Sequence, residues 1–221
     1  MSSDVWGERA EAYRTSVTHA TGDDLDALVE LCNPHDGLRI LDVATGGGHV
    51  ARRLRERGAD VVTTDASPGM GPDVLARAEQ LPFADGSFDV VVTRIAAHHF
   101  EDVRAAVFEL ARVSNAVVVV EDMLFRTEDE QQAEKLRDSS HVRSLSPDEW
   151  RDLLVEAGLE LEQELFFSKE HEFGEWLART GCAGADAARV RELLAPYTSA
   201  DGSSWSNDYI VVKARKPQVD A

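Results

Sequence analysis

Four stretches of the chain are built around short apolar, mostly valine, runs: LRILDV at 38–43, ADVVTTD at 59–65, SFDVVVT at 87–93 and NAVVVVED at 115–122. Valine-rich runs of this length predict strands buried on both faces. Helical spacing fills the gaps between them. Leu25, Leu28, Val29 and Cys32 fall on one face of a helix over 22–32, and 49–57 forms another, closed by Gly58. Val103, Ala106, Val107 and Leu110 line a third. Strands alternating with helices predict a parallel sheet with helices on both sides. Beyond residue 122, SPDEWRDLLVEAG at 146–158 has a well-formed helix start. Ser146 caps, Pro147 takes the first helical position, Glu149 completes a capping box and Gly158 ends the helix. A strand over 159–167, a helical stretch around 170–195 and a last strand over 207–216 follow. A weak strand at 73–76 brings the count to seven.

Composition narrows the class. A chain of 221 residues that is 43% apolar and 29% charged suits one domain with a real core. Its segments are a helical amino-terminal part (1–35), a ligand-binding core (36–122) and the remaining helices and strands (123–221). No apolar run approaches the roughly 20 residues of a membrane helix, and the polar start is not expected to be a signal peptide. Cys32 and Cys182 are too few and too isolated for a disulfide framework or a zinc site, so a reducing cytoplasm is the expectation. The charge is the outlier: 41 acidic against 23 basic residues give −18. Such a surface repels phosphate backbones and anionic lipid, which argues against nucleic acid and membranes as partners. Arginine outnumbers lysine 19 to 4. A GC-rich genome and adaptation to high salt both account for this balance.

The stretch LDVATGGGHV at 41–50 carries the candidate chemistry. In an open parallel sheet, ligands sit beyond the carboxyl ends of the strands, and this is the first strand-to-helix turn. Gly46, Gly48 and Ala51 fit the G-x-G-x-x-G/A spacing of dinucleotide sites. Asp65 ends the second strand nineteen positions after Gly46, where an acid meets ribose hydroxyls. NAD and S-adenosylmethionine (SAM) both fit so far. Asp42 tilts the reading to SAM, because a carboxylate attracts its ammonium group and would repel a pyrophosphate. The loop has no Lys or Arg, and no G-K-[ST] for a nucleoside triphosphate.

Four segments, LRILDVATGGGHVARRL, VTTD, ARAEQLPFADGSFDVVVTRIAAHHFED and HVRSLSPDEWRDLLVEAGLE, resemble class I SAM-dependent methyltransferases, in the branch of ubiquinone and menaquinone C-methylases. The resemblance runs from about residue 6 to 215. It implies an α/β fold: a Rossmann-like doubly wound sheet of about seven strands, mostly parallel with an antiparallel last strand. It also implies SAM as cofactor, with S-adenosylhomocysteine as product. Asp42, Ala44, Gly46 and Gly48 would line the methionine end and Asp65 would hold the ribose. Thr45, Ala66, Ala78, Glu79 and Arg94 complete the implied lining, Ala78 through its backbone N–H. Arg94 has two roles open to it, meeting an anionic substrate or pairing with a nearby carboxylate. The chain departs from the family pattern in four places. Ala44 stands at the first glycine of the motif, and RVSNA at 112–116 replaces the usual Pro-Gly-Gly. Arg77 replaces an aspartate that meets adenine, leaving Glu79 as the substitute. Only eight residues, 66–73, form a crossover that ordinarily needs about a dozen, so its helix is expected to shrink to a turn.

The acceptor side falls on RIAAHHF at 94–100. An N-P-P-[YF] motif is absent there, which counts against adenine-N6 and glutamine methylation, and no Pro-Cys pair serves cytosine-C5 chemistry. His98 and His99 are base or substrate-orienting candidates, since imidazole titrates near pH 6.5. The plain alternative is packing under the next helix. His141 and Arg143 sit on a loop that could reach over the site or form an ordinary ion pair. If the amino-terminal segment is a lid, Tyr13, Ser16 and His19 face inward; otherwise Trp6 and Tyr13 pack on the sheet edge. Trp150 and Trp176 read as core or interface anchors, and 171–181 is placed at the acceptor pocket by fold analogy. The expectation is a monomeric or homodimeric cytoplasmic enzyme methylating a small molecule, with no metal. A phenolic or quinone-like acceptor follows from the branch alone. A non-catalytic SAM-binding protein and an NAD(P)-dependent oxidoreductase are the rivals.

Overall fold

The computed structural model describes residues 5–16 and 20–217. After α1 (Val5–Arg14) and α2 (Asp23–Cys32) come β1 (Arg39–Val43), α3 (His49–Arg55), β2 (Asp60–Asp65), β3 (Val74–Leu75) and β4 (Phe88–Arg94). Then follow α4 (Val103–Val113), β5 (Ser114–Met123), α5 (Glu128–Arg137), α6 (Pro147–Glu156), β6 (Glu160–Glu172), α7 (Phe173–Ala178), α8 (Gly184–Leu193) and β7 (Ser204–Arg215). The strands form one seven-stranded sheet in the order β3-β2-β1-β4-β5-β7-β6. The first five run parallel, and β7 lies antiparallel between β5 and β6. The doubly wound architecture and the antiparallel last strand are therefore as the sequence implied.

Alternation along the strands fills both faces, because successive side chains point to opposite sides. Leu41, Val43, Val91, Val118 and Val120 pack with Leu110 of α4 and Trp150 and Leu154 of α6. Ile40, Val90, Val92 and Val119 pack with Leu25, Leu28 and Val29 of α2 and Leu54 of α3. A third cluster, around Phe173, Trp176, Val190 and Trp205, joins α5, α7 and α8 to β7 beyond the sheet's edge. Trp150 and Trp176 are thus core residues. No helix among the described residues is long and apolar enough to cross a membrane.

Three features differ from or sharpen the sequence reading. The crossover after β2 is a single 3-10 turn, Pro68–Met70, and β3 is two residues long, so the missing helix is real. Residues 170–172, placed in a helix by the sequence, extend β6, because β6 pairs with β7 from Glu160 opposite Arg215 to Glu172 opposite Ser204. The helix α5 had no apolar stripe to announce it. It buries Glu130 and Glu134 instead, paired with Arg126 (2.8 Å) and Arg137 (3.2 Å). Its one legible signal is Thr127, whose hydroxyl caps the Glu130 N–H.

Candidate active site

The connections from β1 and β4 leave in opposite directions, which opens a crevice at the carboxyl ends of the strands. A cavity of about 480 Å³ occupies it. The turn after β1 takes a conformation that few residues tolerate: φ is 56° at Ala44, 52° at Gly46 and 74° at Gly48. A Cβ on Gly46 would meet no protein atom and would project into space that a ligand can use. At Gly47 the constraint is packing, since a Cβ would come within 2.8 Å of the Tyr13 carbonyl. Gly48 itself does not line the cavity; it leads into α3.

Asp42 and Asp65 both line this cavity and both brace the turn. Asp42 accepts from the Thr45 hydroxyl (2.7 Å) and the Ala51 N–H (3.2 Å). Asp65 accepts from the N–H groups of Gly46 (3.0 Å) and Ser67 (2.9 Å). Burial, with the Asp65 charge adding to it, pushes the Asp42 carboxyl up to about 6 despite those two hydrogen bonds. Thr45, Ala66, Ala78 and Glu79 also line the cavity. Arg77, on the same wall, pairs with Glu79 (3.2 Å) and Glu101 (3.1 Å), and Glu79 accepts the Glu101 N–H as well. Over the opening, Trp6 and Tyr13 of α1 complete the wall. His49 holds the helix there by donating to the Tyr13 carbonyl (2.9 Å), and Arg14 by donating to the Gly69 carbonyl (2.7 Å). The two readings of this segment merge: Tyr13 faces inward as a lid residue would, and Trp6 packs edge-on against His99 at 4.5 Å. Ser16 lines neither cavity described here, and His19 lies outside the described residues.

A second, smaller cavity of about 40 Å³ adjoins the first and shares Tyr13, Ile95 and His99 with it. Ile95 adopts φ 51°, a costly conformation for a β-branched residue, at this shared wall. His98 faces the smaller cavity. Its Nδ1 lies 2.6 Å from Asp122 Oδ1 and its backbone N–H donates to Asp122 Oδ2 (2.7 Å), which leaves Nε2 as the ring nitrogen not engaged by Asp122. Burial pulls the His98 pKa down, but the Asp122 carboxylate outweighs it and the value rises above that of ordinary histidine. His99 goes the other way: burial, and then the neighbouring His98 charge, hold it well below the usual value. Its Nδ1 donates to the Ser140 carbonyl (3.1 Å).

The methyltransferase-domain family profile matches residues 41–116. Over 216 residues the chain is 30% identical to the uncharacterized methyltransferase YcgJ of Bacillus subtilis, spanning 86% of this chain and 82% of that one. The chain belongs to the SAM-dependent methyltransferases. The crystal structure of YcgJ superimposes with a TM-score of 0.79 and 25% identity, over 89% of this methyltransferase and 99% of that chain. The demethylmenaquinone methyltransferase of Beutenbergia cavernae is 36% identical over 98 residues, 40% of this chain and 41% of its own.

Two residues from the sequence-derived set have other work in this methyltransferase. Arg94 lines the larger cavity, yet its guanidinium pairs with Asp24 and with Glu121 (2.7 Å), and Lys169 joins the same two carboxylates. This four-charge cluster is buried; burial first, with Asp24 adding, pushes Glu121 up to about 8. Of the two roles left open for Arg94, the carboxylate pairing is the one observed. His141 lies outside both cavities. Its Nε2 donates to Gln131 (2.8 Å), and burial together with the His98 charge takes it down to about 3. A ring held neutral behind His98 is a packing partner, which corrects its placement among the catalytic residues. Arg143 makes the ordinary ion pair, with Glu149. From the segment 171–181, His171, Trp176 and Arg179 line the smaller cavity. Asp122, Arg137 and Tyr209 were missed. Only Asp122 had left a signal, as one of two acids ending a buried valine run at the ligand end of the sheet.

Proposed function

We propose that this methyltransferase holds SAM in the larger cavity and a small-molecule acceptor in the smaller one, with His98 as the base that takes the acceptor's proton. The observation that carries the reading is the pair of adjoining cavities, with the His98–Asp122 couple on the second. The larger cavity suits SAM on its own features. Asp42 and Asp65 give it an acidic wall for an ammonium group and ribose hydroxyls, and Gly46 leaves room where a side chain would intrude. Its two arginines are engaged by carboxylates, so a pyrophosphate finds little there, and this favours SAM over NAD.

When bound, SAM supplies a methyl group on a sulfonium for in-line displacement. The chain's own part is alignment, exclusion of water and proton removal. Alignment of two bound reactants is worth about 7–11 kcal/mol in well-oriented reactions. Trp6 and Tyr13 line the crevice with aromatic surface that would exclude water once the site is filled. Asp122 fixes the His98 ring through Nδ1 and raises its basicity, as a carboxylate does for a catalytic histidine. His98 Nε2 would take the proton from the acceptor atom that receives the methyl group. A hydroxyl, an acidic carbon or an ammonium suits this base.

Calorimetric titration with SAM, S-adenosylhomocysteine and NADH, at low and molar salt, tests the cofactor assignment. Micromolar binding of the sulfur ligands with NADH silent is expected. If the sulfur ligands fail at both salts, the shortened crossover has removed the cofactor site and a non-catalytic role takes precedence.

A further inference from the structure

Resting on the reading above, we infer that Ile95 is the contact residue between the two bound reactants. Its side chain packs against the methyl-donor end of the cofactor and sets how the acceptor approaches it. The first observation is placement. Among the described residues that line the larger cavity, only Tyr13, Ile95 and His99 also line the smaller one. A methyl group passing between reactants held in the two cavities crosses this wall. Tyr13 belongs to α1, outside the sheet, whereas Ile95 directly follows β4, the central strand of the seven.

The second is conformation. Ile95 has φ 51°, in the left-handed region that glycine and asparagine enter readily and a β-branched residue enters at a cost. The flanking bonds impose it. Arg94 is pinned by Asp24 and Glu121, and Lys169 braces the same two carboxylates. The Ile95 N–H donates to the Glu121 carbonyl (2.7 Å), and three residues on the His98 N–H donates to Asp122 (2.7 Å). The chain therefore has only 95–97 in which to leave β4 and still set His98 on Asp122. Glycine would make that turn without strain. Isoleucine instead keeps a branched side chain on the shared wall although the backbone is strained by it. Strain of this kind persists where the surroundings over-determine it, and it gathers at sites that need one group in one place.

The third is chemistry. Ile95 is the aliphatic member of the shared wall, since Tyr13 and His99 both carry polar atoms. An aliphatic side chain offers a sulfonium methyl no competing nucleophile and holds water away from it, as transfer requires.

The test uses the full chain. It has three isoleucines, and Ile40 and Ile210 are fully buried in the core. Protein isotope-labelled only at the isoleucine δ1 methyl therefore gives three NMR signals, and Ile95→Val assigns the one at the wall. At saturating S-adenosylhomocysteine the Ile95 signal is expected to shift most. It should also show nuclear Overhauser contacts to the methylene protons beside the ligand's sulfur. Ile95→Gly should weaken the ligand by about three- to tenfold through lost packing, with Ile95→Val within about twofold of the unaltered protein. The melting temperature of Ile95→Gly should stay within about 2 °C of the unaltered protein, because relief of strain offsets the lost contacts. A merely structural side chain would give the reverse, a lower melting temperature with affinity unchanged. Saturation without contact to Ile95, or that reverse pattern in Ile95→Gly, overturns the inference. Failure of S-adenosylhomocysteine to bind the unaltered protein in calorimetry overturns the cofactor assignment instead, so the two failures are distinct.

Discussion

The two cavities share three walls and differ in almost everything else. The larger draws its lining from short runs of chain, chiefly 42–50, 65–66, 76–79 and 94–101, together with α1. The smaller takes one or two residues at a time from α1, β5, α5, β6, α7 and β7, with Ile95, His98, His99, Asp138 and Arg179 from the connections, spread from Tyr13 to Tyr209. Local backbone geometry makes the first: a turn with positive φ at Ala44, Gly46 and Gly48, held by carboxylates at the strand ends. Long-range packing makes the second, through the third hydrophobic cluster and the buried charges of Arg137 and Lys169. A site of the first kind is written in consecutive letters, whereas one of the second kind exists only after folding.

Substitutions can separate the two. His98→Gln should lower kcat by about 10²–10⁴, the usual contribution of a positioned base, with S-adenosylhomocysteine affinity almost unchanged. Single-turnover rates and calorimetry on the same preparation check both halves. Asp122→Asn should follow it in kind and also move the pH dependence. His98 accepts a proton only when neutral, so the rate should rise with pH through a value above that of ordinary histidine. Removing the carboxylate should shift that limb to lower pH.

Asp65→Ala acts on the other cavity. Loss of charge-assisted hydrogen bonds costs about 1.5–3 kcal/mol each, or roughly 10–150-fold in cofactor affinity. Unchanged affinity would remove the placement of the ribose. Acid should act on the same wall through Asp42. Its folded pKa of about 6 lies above the ordinary 3.8, so the folded state binds the extra proton between those values. The apo protein therefore loses stability as pH rises through that window, and the ionised carboxylate that results attracts a cationic ligand. Affinity for S-adenosylhomocysteine should fall as pH drops below about 6, by at most tenfold per pH unit. Gly47→Ala should have a smaller effect, displacing α1 by its clash with the Tyr13 carbonyl and costing about 1 kcal/mol in thermal stability. Arg77→Ala should be nearly silent, because half-exposed ion pairs such as those to Glu79 and Glu101 contribute about 0–1 kcal/mol.

The same division governs what could be read before folding. The strands from residue 38 to 122 announced themselves because both faces of the sheet are buried, and burial selects apolar residues at consecutive positions. The shortened crossover was legible because chain length limits what can bridge two parallel strands. The helix α5 was not, since it is held by Glu–Arg pairs and a threonine cap instead of an apolar stripe. His98 and His99 are adjacent and of one type, so nothing local could rank them. Asp122, 24 residues away and beside His98 only across the parallel strands, ranks them.

By itself, then, the sequence determined the doubly wound sheet, the turn at 41–50 and the acids at 42 and 65, because these follow from periodicity and from backbone conformations that only short segments impose. The tertiary structure decided which histidine has a carboxylate behind it, that Arg94 belongs to a buried charge cluster, and that a small cavity lined by three cations adjoins the larger one. Those outcomes depend on which side chains burial forces together, and charges removed from water must find partners wherever the packed chain supplies them.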